Sequence, residues 1–524
     1  MIALTIFAIM PFLLLIILII FLKLPTIKVM PLVWLITLLI VLSIWHLNPL
    51  LISASFVKGA LIAIEIMLII FSAIWLIAIL QEKQKIKTLH TLLVSISPDA
   101  RIQAIIIAWL FGSLIEGIAG FGTPAALAAP LLVSLGFNPI LAVITSLVAN
   151  STAVSFGAAG TPILFGLGKL GFENDLLKQV YQTTAIFHFI GSIIIPILIA
   201  YFVVSFKEKN EKIKRILEIV PFAILAWLSF SVPYIFIALF IGPELPSIIG
   251  GLVGLIITST AAHYRILVPK KILSFDKKIK EQKPKFKSVI TAVFPYFTII
   301  FLLLISRTIP QIKEILSNIT LEWKNILSTE INYQFLPLYT PSFYIIIASI
   351  ICILLFNVKS SEIKITLAKT INKIKKPLLT LVFALALVQL ILVSSNNTLN
   401  MPGIPIVIAE SLANIFKNSY IFIAPLIGIF GAFLAGSNTL SNFLFGTVQS
   451  QTADSLNLPK TIILALQVVG GAIGNMIAVH NILAANATVG LVNKEGVIIR
   501  RIILVALIYA LIVSLSAFFI IHFS

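Results

Sequence analysis

This sequence is short of acid. Its 524 residues hold 19 Asp and Glu against 37 Lys and Arg, with six His and one cysteine. That cysteine, Cys352, excludes disulfides and cysteine-based metal sites. Also absent are a Walker phosphate loop, a glycine fingerprint between a strand and a helix, and a His-x-x-x-His pair. ATP hydrolysis, dinucleotide binding and zinc chemistry therefore have no visible equipment. The expectation is a protein without a cofactor and without enzymatic activity. No charged or polar stretch is long enough to fold as a soluble domain, so residues 1–524 are read as one unit.

What the chain has in abundance is hydrocarbon. Hydrophobic residues make up 60% and the mean hydropathy is +1.12. That profile belongs to an all-α polytopic membrane protein. Residues 3–22 carry no charge, and at about 1.5 Å per residue they reach roughly 30 Å, the hydrocarbon thickness of a bilayer. With no basic n-region and no small-residue cleavage site, they read as a retained helix rather than a signal peptide. Further apolar runs fall at 31–47, 59–80, 103–119, 139–158, 180–205, 221–242, 246–263, 288–306, 341–356, 377–394, 404–435 (one segment or two), 461–485 and 502–522. About 12–14 transmembrane helices are expected.

The net charge of +18 sits in short connectors, at 81–102, 206–219, 264–287 and 357–376. Lys and Arg concentrated in short loops mark the cytoplasmic side, so the lipid bilayer, and not nucleic acid, is the expected partner. Counting back through 23–30, with Lys23 and Lys28 inside, puts the N-terminus outside at the plasma membrane. The segment 307–340 then falls outside.

One stretch breaks the hydrocarbon. "GSLIEGIAGFGTPAALAAPLLVSLGFNP" (112–139) can be laid on "GAFLAGSNTLSNFLFGTVQSQTADSLNLP" (431–459). Both open with Gly-x-x-x-x-Gly, break into small and polar residues, resume an apolar run, and end in a turn ahead of another helix. The next stretches also match in kind: "VANSTAVSFGAAGTP" (148–162) and "VVGGAIGNMIAVHN" (468–481). Repeat units at about 103–170 and 420–490 are the signature of a transporter built from structural repeats. Irregular backbone survives at membrane depth only inside protein or beside a watery cavity. Breaks at 117–124 and 436–442 therefore predict discontinuous helices or re-entrant hairpins.

A half-helix starting at such a break presents free N–H groups to a small carboxylate. Gly120 and Gly122 allow the break, Thr123 can cap, and Pro124 suits the first helical position. Ser437, Asn438, Thr439, Ser441 and Asn442 make a second polar cluster, and Asn150 and Ser151 join the candidate substrate site. Glu116 is the sharpest residue, since an ionised carboxylate at a helix centre costs about 2.5–3.5 kcal/mol. Leaving water penalises its charged form, so it is the candidate carrier of a coupling proton. His480, at a repeat-matched position, is the second. Glu65 and Glu410 read as uncharged buried acids bonded to a neighbouring helix, and His188 as a satisfied hydrogen-bonder. Arg307 can either attract an anion from outside or snorkel.

In order along the chain, "EGIAGFGTPAALAAPLLVSLGFNP", "LVANSTAVSFGAAGTPI", "PLYTPSF", "GSNTLSNFLFGTVQSQTA" and "ATVGLVNKEGVIIRR" resemble the L-lactate permease family. The resemblance implies uptake of L-lactate, and often glycolate, together with protons across the plasma membrane. It also implies kinship with ion-driven transporters that use inverted repeats and re-entrant hairpins. Family members usually carry an acid where Asn438 stands, a lysine where Asn475 stands and a glutamine where His480 stands. That departure leaves Glu116 as the titratable group of the core. The substrate expectation is a small carboxylate with a coupling proton. Sodium coupling, another small organic anion, or a passive anion channel are the alternatives. Oligomeric state is not legible.

Overall fold

The computed structural model describes residues 2–22, 24–94, 96–120, 122–207, 211–275, 285–492 and 494–523. Lys23 and parts of two basic connectors (208–210 and 276–284) lie outside the described residues. The chain is almost wholly helical. One short antiparallel ribbon, Leu321–Trp323 against Tyr333–Phe335 with Glu322 opposite Gln334, sits in the 307–340 segment. Among the described residues, 10 helices are long and apolar enough to cross a membrane, or 12 with two bent pairs. The bent pairs are Pro139–Asn150 with Val154–Leu170, at 61°, and Asn174–Gly191 with Ile194–Lys207, at 40°. Expected spans 3–22 and 341–356 appear as the shorter apolar helices Leu4–Ile19 and Pro341–Leu355. The stretch 404–435 splits at Lys417–Ser419 into Ile404–Phe416 and Tyr420–Ala435.

Two connectors expected as loops are instead largely helix. Residues 357–376 form the first half of the helix Ser360–Val393, and 206–219 lead into Lys212–Phe240. Each helix runs on past a proline at the edge of its connector, Pro377 in the first and Pro221 in the second. The Glu362 carboxylate accepts from the Lys359 N–H at 2.7 Å and caps the first of them. Pairs of Lys83 with Glu362 (2.7 Å) and Lys369 with Glu82 (3.1 Å) bind it to the neighbouring helix Pro49–Glu82.

Sidedness follows from which ends meet. Arg101, fully buried, donates to Asp99 at 2.7 Å, to the Arg215 carbonyl at 2.7 Å and to the Lys271 carbonyl at 2.8 Å. The Phe137 and Phe275 rings pack at 4.6 Å, and Lys207 donates to the Ser274 carbonyl. The chain near 99, 137, 207, 215 and 271–275 thus shares one face, here called the basic face. On the opposite face, Thr461 donates to Gln179 at 3.1 Å, and Arg307 pairs with Glu244 at 2.7 Å.

The two repeat units are built around these faces in opposite senses. In the first, Ala100–Ala104, the π-helical Ile105–Phe111 and Gly112–Ala119 climb from the basic face. The chain turns at Gly120 and Gly122 (φ 58° and 75°), and Thr123–Ser134 returns along Ile105–Phe111. That is a re-entrant hairpin. Its continuation, Pro139–Asn150, is started by the Asn138 side chain accepting from the Ile140 N–H at 2.9 Å, with Pro139 first in the helix. In the second unit, Tyr420–Ala435 and Asn438–Ser455 form a hairpin whose tip is Gly436 (φ 67°) and whose base lies on the opposite face. A broken helix follows there too, Lys460–Asn475 and then Val479–Thr488. Both hairpins and both broken helices end in the middle of the molecule.

The breaks are narrower than the sequence suggests. Gly117 stays helical because Pro246–His263 packs so closely there that a β-carbon would strike the Ile248 side chain and the backbone of Ser247 and Ile248. Ser441 and Asn442 lie inside the second arm of the second hairpin.

Candidate functional site

At the centre, the ends of all four broken elements line one pocket. Its empty volume is about 280 Å³. The first unit supplies Glu116, Gly120, Val154, Gly157, Ala158, Thr161 and Pro162. The second supplies Gly436, Ser437, Asn438, Thr439 and Asn475.

Glu116 is buried, with 2% exposed. It accepts from the Asn150 amide at 3.0 Å, and Gly157 lies against its other oxygen, where any larger residue would collide. The unwound stretch between Asn150 and Gly157 is held by Trp109 of its own unit and by Tyr234 and Ser247 from outside it. Trp109 donates to the Thr152 hydroxyl at 2.8 Å, Tyr234 to the Thr152 carbonyl at 3.0 Å, and Ser247 to the Ala153 carbonyl at 2.7 Å. Ala158, Ala159 and Gly160 then follow one another in the left-handed region (φ 44°, 51° and 78°). Each left-handed alanine costs roughly 1–2 kcal/mol and persists only where the surroundings dictate it. Here the constraint is the turn at Pro243 and Glu244, whose backbone lies against Gly160. Glu244 is fixed by Arg307, which also donates to the Tyr339 carbonyl at 2.7 Å and stacks on the Tyr339 ring at 3.6 Å. Arg307 is therefore a tied structural cation, and neither a free anion attractor nor a snorkelling one.

The end with free backbone donors belongs to the second hairpin. Ser437 caps Asn438–Ser455, its hydroxyl accepting from the Leu440 N–H at 3.5 Å. The backbone N–H groups of Asn438 and Thr439, in the first turn, have no partner among the described residues and stand at the pocket wall. The first hairpin offers less. Gly122, not Thr123, is its N-cap, and no side chain caps it. The Thr123 N–H is spent on the Gly120 carbonyl at 3.1 Å, and Pro124 has none to give. Thr123 itself is half-buried and does not line the pocket.

The remaining expected residues divide. Gly120, Ser437, Asn438 and Thr439 line the pocket, although the Asn438 amide donates to the Val468 carbonyl at 3.0 Å. Asn150 stands behind Glu116. Gly122 faces Asn481. Ser151 bonds its own helix through the Val148 carbonyl at 2.8 Å. Asn442 donates to the Pro162 carbonyl at 2.9 Å and so ties the second hairpin to the first broken helix. His480 is outside the pocket, packed against the tip at Gly436 and exposed to a second cavity. His188 is satisfied by Ser155 and Tyr509, both at 2.7 Å. Glu65 is buried but ion-paired, with Lys169 at 3.0 Å and with a hydrogen bond from Tyr333, whose phenol is pushed above its usual range by burial and by the Glu65 carboxylate. Glu410 is only half-buried. The expectation of two uncharged buried acids therefore does not hold, because Lys169 reaches Glu65 from the end of the first broken helix.

Sequence reasoning missed Thr161, Gly157 and Asn475 as lining residues. The Asn475 carbonyl and side-chain oxygen both accept from Asn481, at 3.0 and 2.5 Å, and its amide hydrogens have no partner among the described residues. The signal lies in 148–162 and 468–481 themselves, which are Gly-rich and polar where a lipid-facing helix is Leu and Ile. Both positions of the Asn438/Asn475 departure line the same pocket.

Residues 4–524 match the L-lactate permease family. The chain belongs to that family. A putative L-lactate permease of Haemophilus influenzae is 32% identical over 95% of this chain and 94% of its own length. The glycolate permease GlcA of Escherichia coli K12 is 28% identical, over 85% of this chain and 83% of its own. Among solved structures, the Alcanivorax borkumensis YdaH transporter aligns with a TM-score of 0.42 at 14% identity, covering 86% of this chain and 84% of that one. A permease family and ten or more membrane-crossing helices make this L-lactate permease family member a multi-pass membrane protein.

Proposed function

We propose that the chain is a secondary active transporter for L-lactate and related small 2-hydroxy monocarboxylates such as glycolate. It moves them together with a proton across the plasma membrane, with its N-terminus outside. The substrate sits between the two hairpin tips. Its carboxylate takes the free N–H groups of Asn438 and Thr439, and its hydroxyl and remaining oxygen take the Thr439 hydroxyl and the Asn475 amide.

One observation carries the proton. The pocket offers hydrogen-bond donors to an anion but no cation, and its single ionisable lining residue is Glu116. A carboxylate entering beside an ionised Glu116 would meet a like charge in a site buried within protein. Protonation of Glu116 removes that repulsion, so anion and proton favour each other's binding. Sodium would have to be held by the same single acid, with no other acidic residue in the pocket wall.

The test is uptake of labelled L-lactate into proteoliposomes. An imposed pH gradient, acidic on the substrate side, should drive accumulation above equilibrium, and a sodium gradient alone should not. Accumulation under sodium alone would favour the sodium-coupled reading. Equilibration without accumulation under either gradient would favour a passive channel.

A further inference from the structure

The second cavity is much larger than the pocket, with an empty volume of about 1100 Å³. The two share Gly436, Ser437 and Thr439. From the hairpin tip, the cavity runs between Met67 and Ile70 on one helix and Thr380 and Leu381 on another, reaching Pro25 and Lys376. Pro25 and Lys376 are exposed, and Lys376 belongs to the helix whose Lys369 pairs with Glu82, so the mouth opens on the basic face. Lys376 has no ion-pair partner among the described residues. At the inner end, the exposed His480 ring stands against Gly436. Toward the opposite face the same tip is shut. Asn442 is bonded to the Pro162 carbonyl, and Gln467 donates to the Ser441 hydroxyl at 3.0 Å.

We propose that this cavity is a hydrated vestibule for a small carboxylate anion, the basic-face half of the substrate route, with His480 at its inner end and Lys376 at its mouth. It rests on the carboxylate-transport reading above. A volume of this size exceeds that of one water many times over, and its mouth is bordered by an unpaired cation that raises the local concentration of anions. A site closed toward one face and joined to a wide cavity on the other is what an alternating-access carrier shows in one of its two states.

Cysteine labelling tests this directly, because the native Cys352 is buried. Thr380 lines the cavity, and its hydroxyl bonds only the Lys376 carbonyl of its own helix, at 3.2 Å. In Thr380→Cys, an anionic membrane-impermeant thiol reagent should label vesicles that present the basic face outward. Vesicles of the opposite orientation should show loss of labelling. L-Lactate should slow the reaction. Adding Lys376→Gln should slow the anionic reagent and leave a neutral one of similar size unaffected. Absence of labelling from the basic face in a variant that still takes up lactate would overturn the proposal, and so would labelling that lactate leaves unchanged. Failure of the carboxylate-transport reading looks different: the variant and its parent would both lack uptake while labelling from the basic face persisted.

Discussion

Glu116 is held by one hydrogen bond from Asn150 and by the backbone of Gly157, which is why its two simplest replacements should behave differently. In Glu116→Gln the amide oxygen still accepts from Asn150, so the fold should survive. Exchange of lactate for lactate should continue, while accumulation driven by a pH gradient is lost. Glu116→Leu leaves the buried Asn150 amide without a partner, at a cost of about 1–3 kcal/mol, and should lower the melting temperature as well. Gly436 is the second residue on which the site turns. Its φ of 67° and the His480 ring beside it leave no room for a side chain. Gly436→Ala should destabilise by roughly 1–2 kcal/mol from the backbone alone. Adding His480→Ala should restore whatever part comes from the collision and none of the backbone part, which two melting curves can separate.

Elements far from the pocket decide its shape. The left-handed run at Ala158–Gly160 is imposed by the turn at Pro243 and Glu244, and that turn is tied down by Arg307. Arg307→Ala leaves Glu244 buried without its partner, and thermal denaturation in detergent should show a loss of about 3–5 kcal/mol. Replacing both by Gln should cost much less. Ser437→Ala removes the cap of the second hairpin's returning arm, at about 1 kcal/mol, and should raise the lactate concentration for half-maximal uptake. The same elements mark what the sequence could tell. Gly, Pro and Ser/Thr runs at matching places in two apolar segments mark broken helices, so the two breaks were legible, though not that each is a hairpin. Which hairpin presents free N–H groups was not, because it depends on the Thr123 N–H being spent on Gly120. Nor was the kink at Ala158 and Ala159, since alanine by itself favours helix and the constraint comes from residues some eighty positions away. Gly117 looked like a break and is a packing contact with Pro246–His263.

At the scale of the molecule, two similar hairpins enter from opposite faces and stop at each other's broken helices. That inverted arrangement gives a carrier two related half-sites that can be opened in turn. Asn442 on Pro162 and Asn481 against Gly122 are among the ties between the units, and the proposed lactate site lies between them. Equilibrium binding of labelled L-lactate to purified Glu116→Gln and Thr439→Val, one from each unit, tests this most directly. Thr439→Val should weaken binding by about tenfold, the worth of one good hydrogen bond, and Glu116→Gln should remove the gain in affinity on acidification, with the melting temperature little changed in both. Binding that is unaffected by either change, in protein that melts normally, would contradict a carboxylate site shared by the two halves.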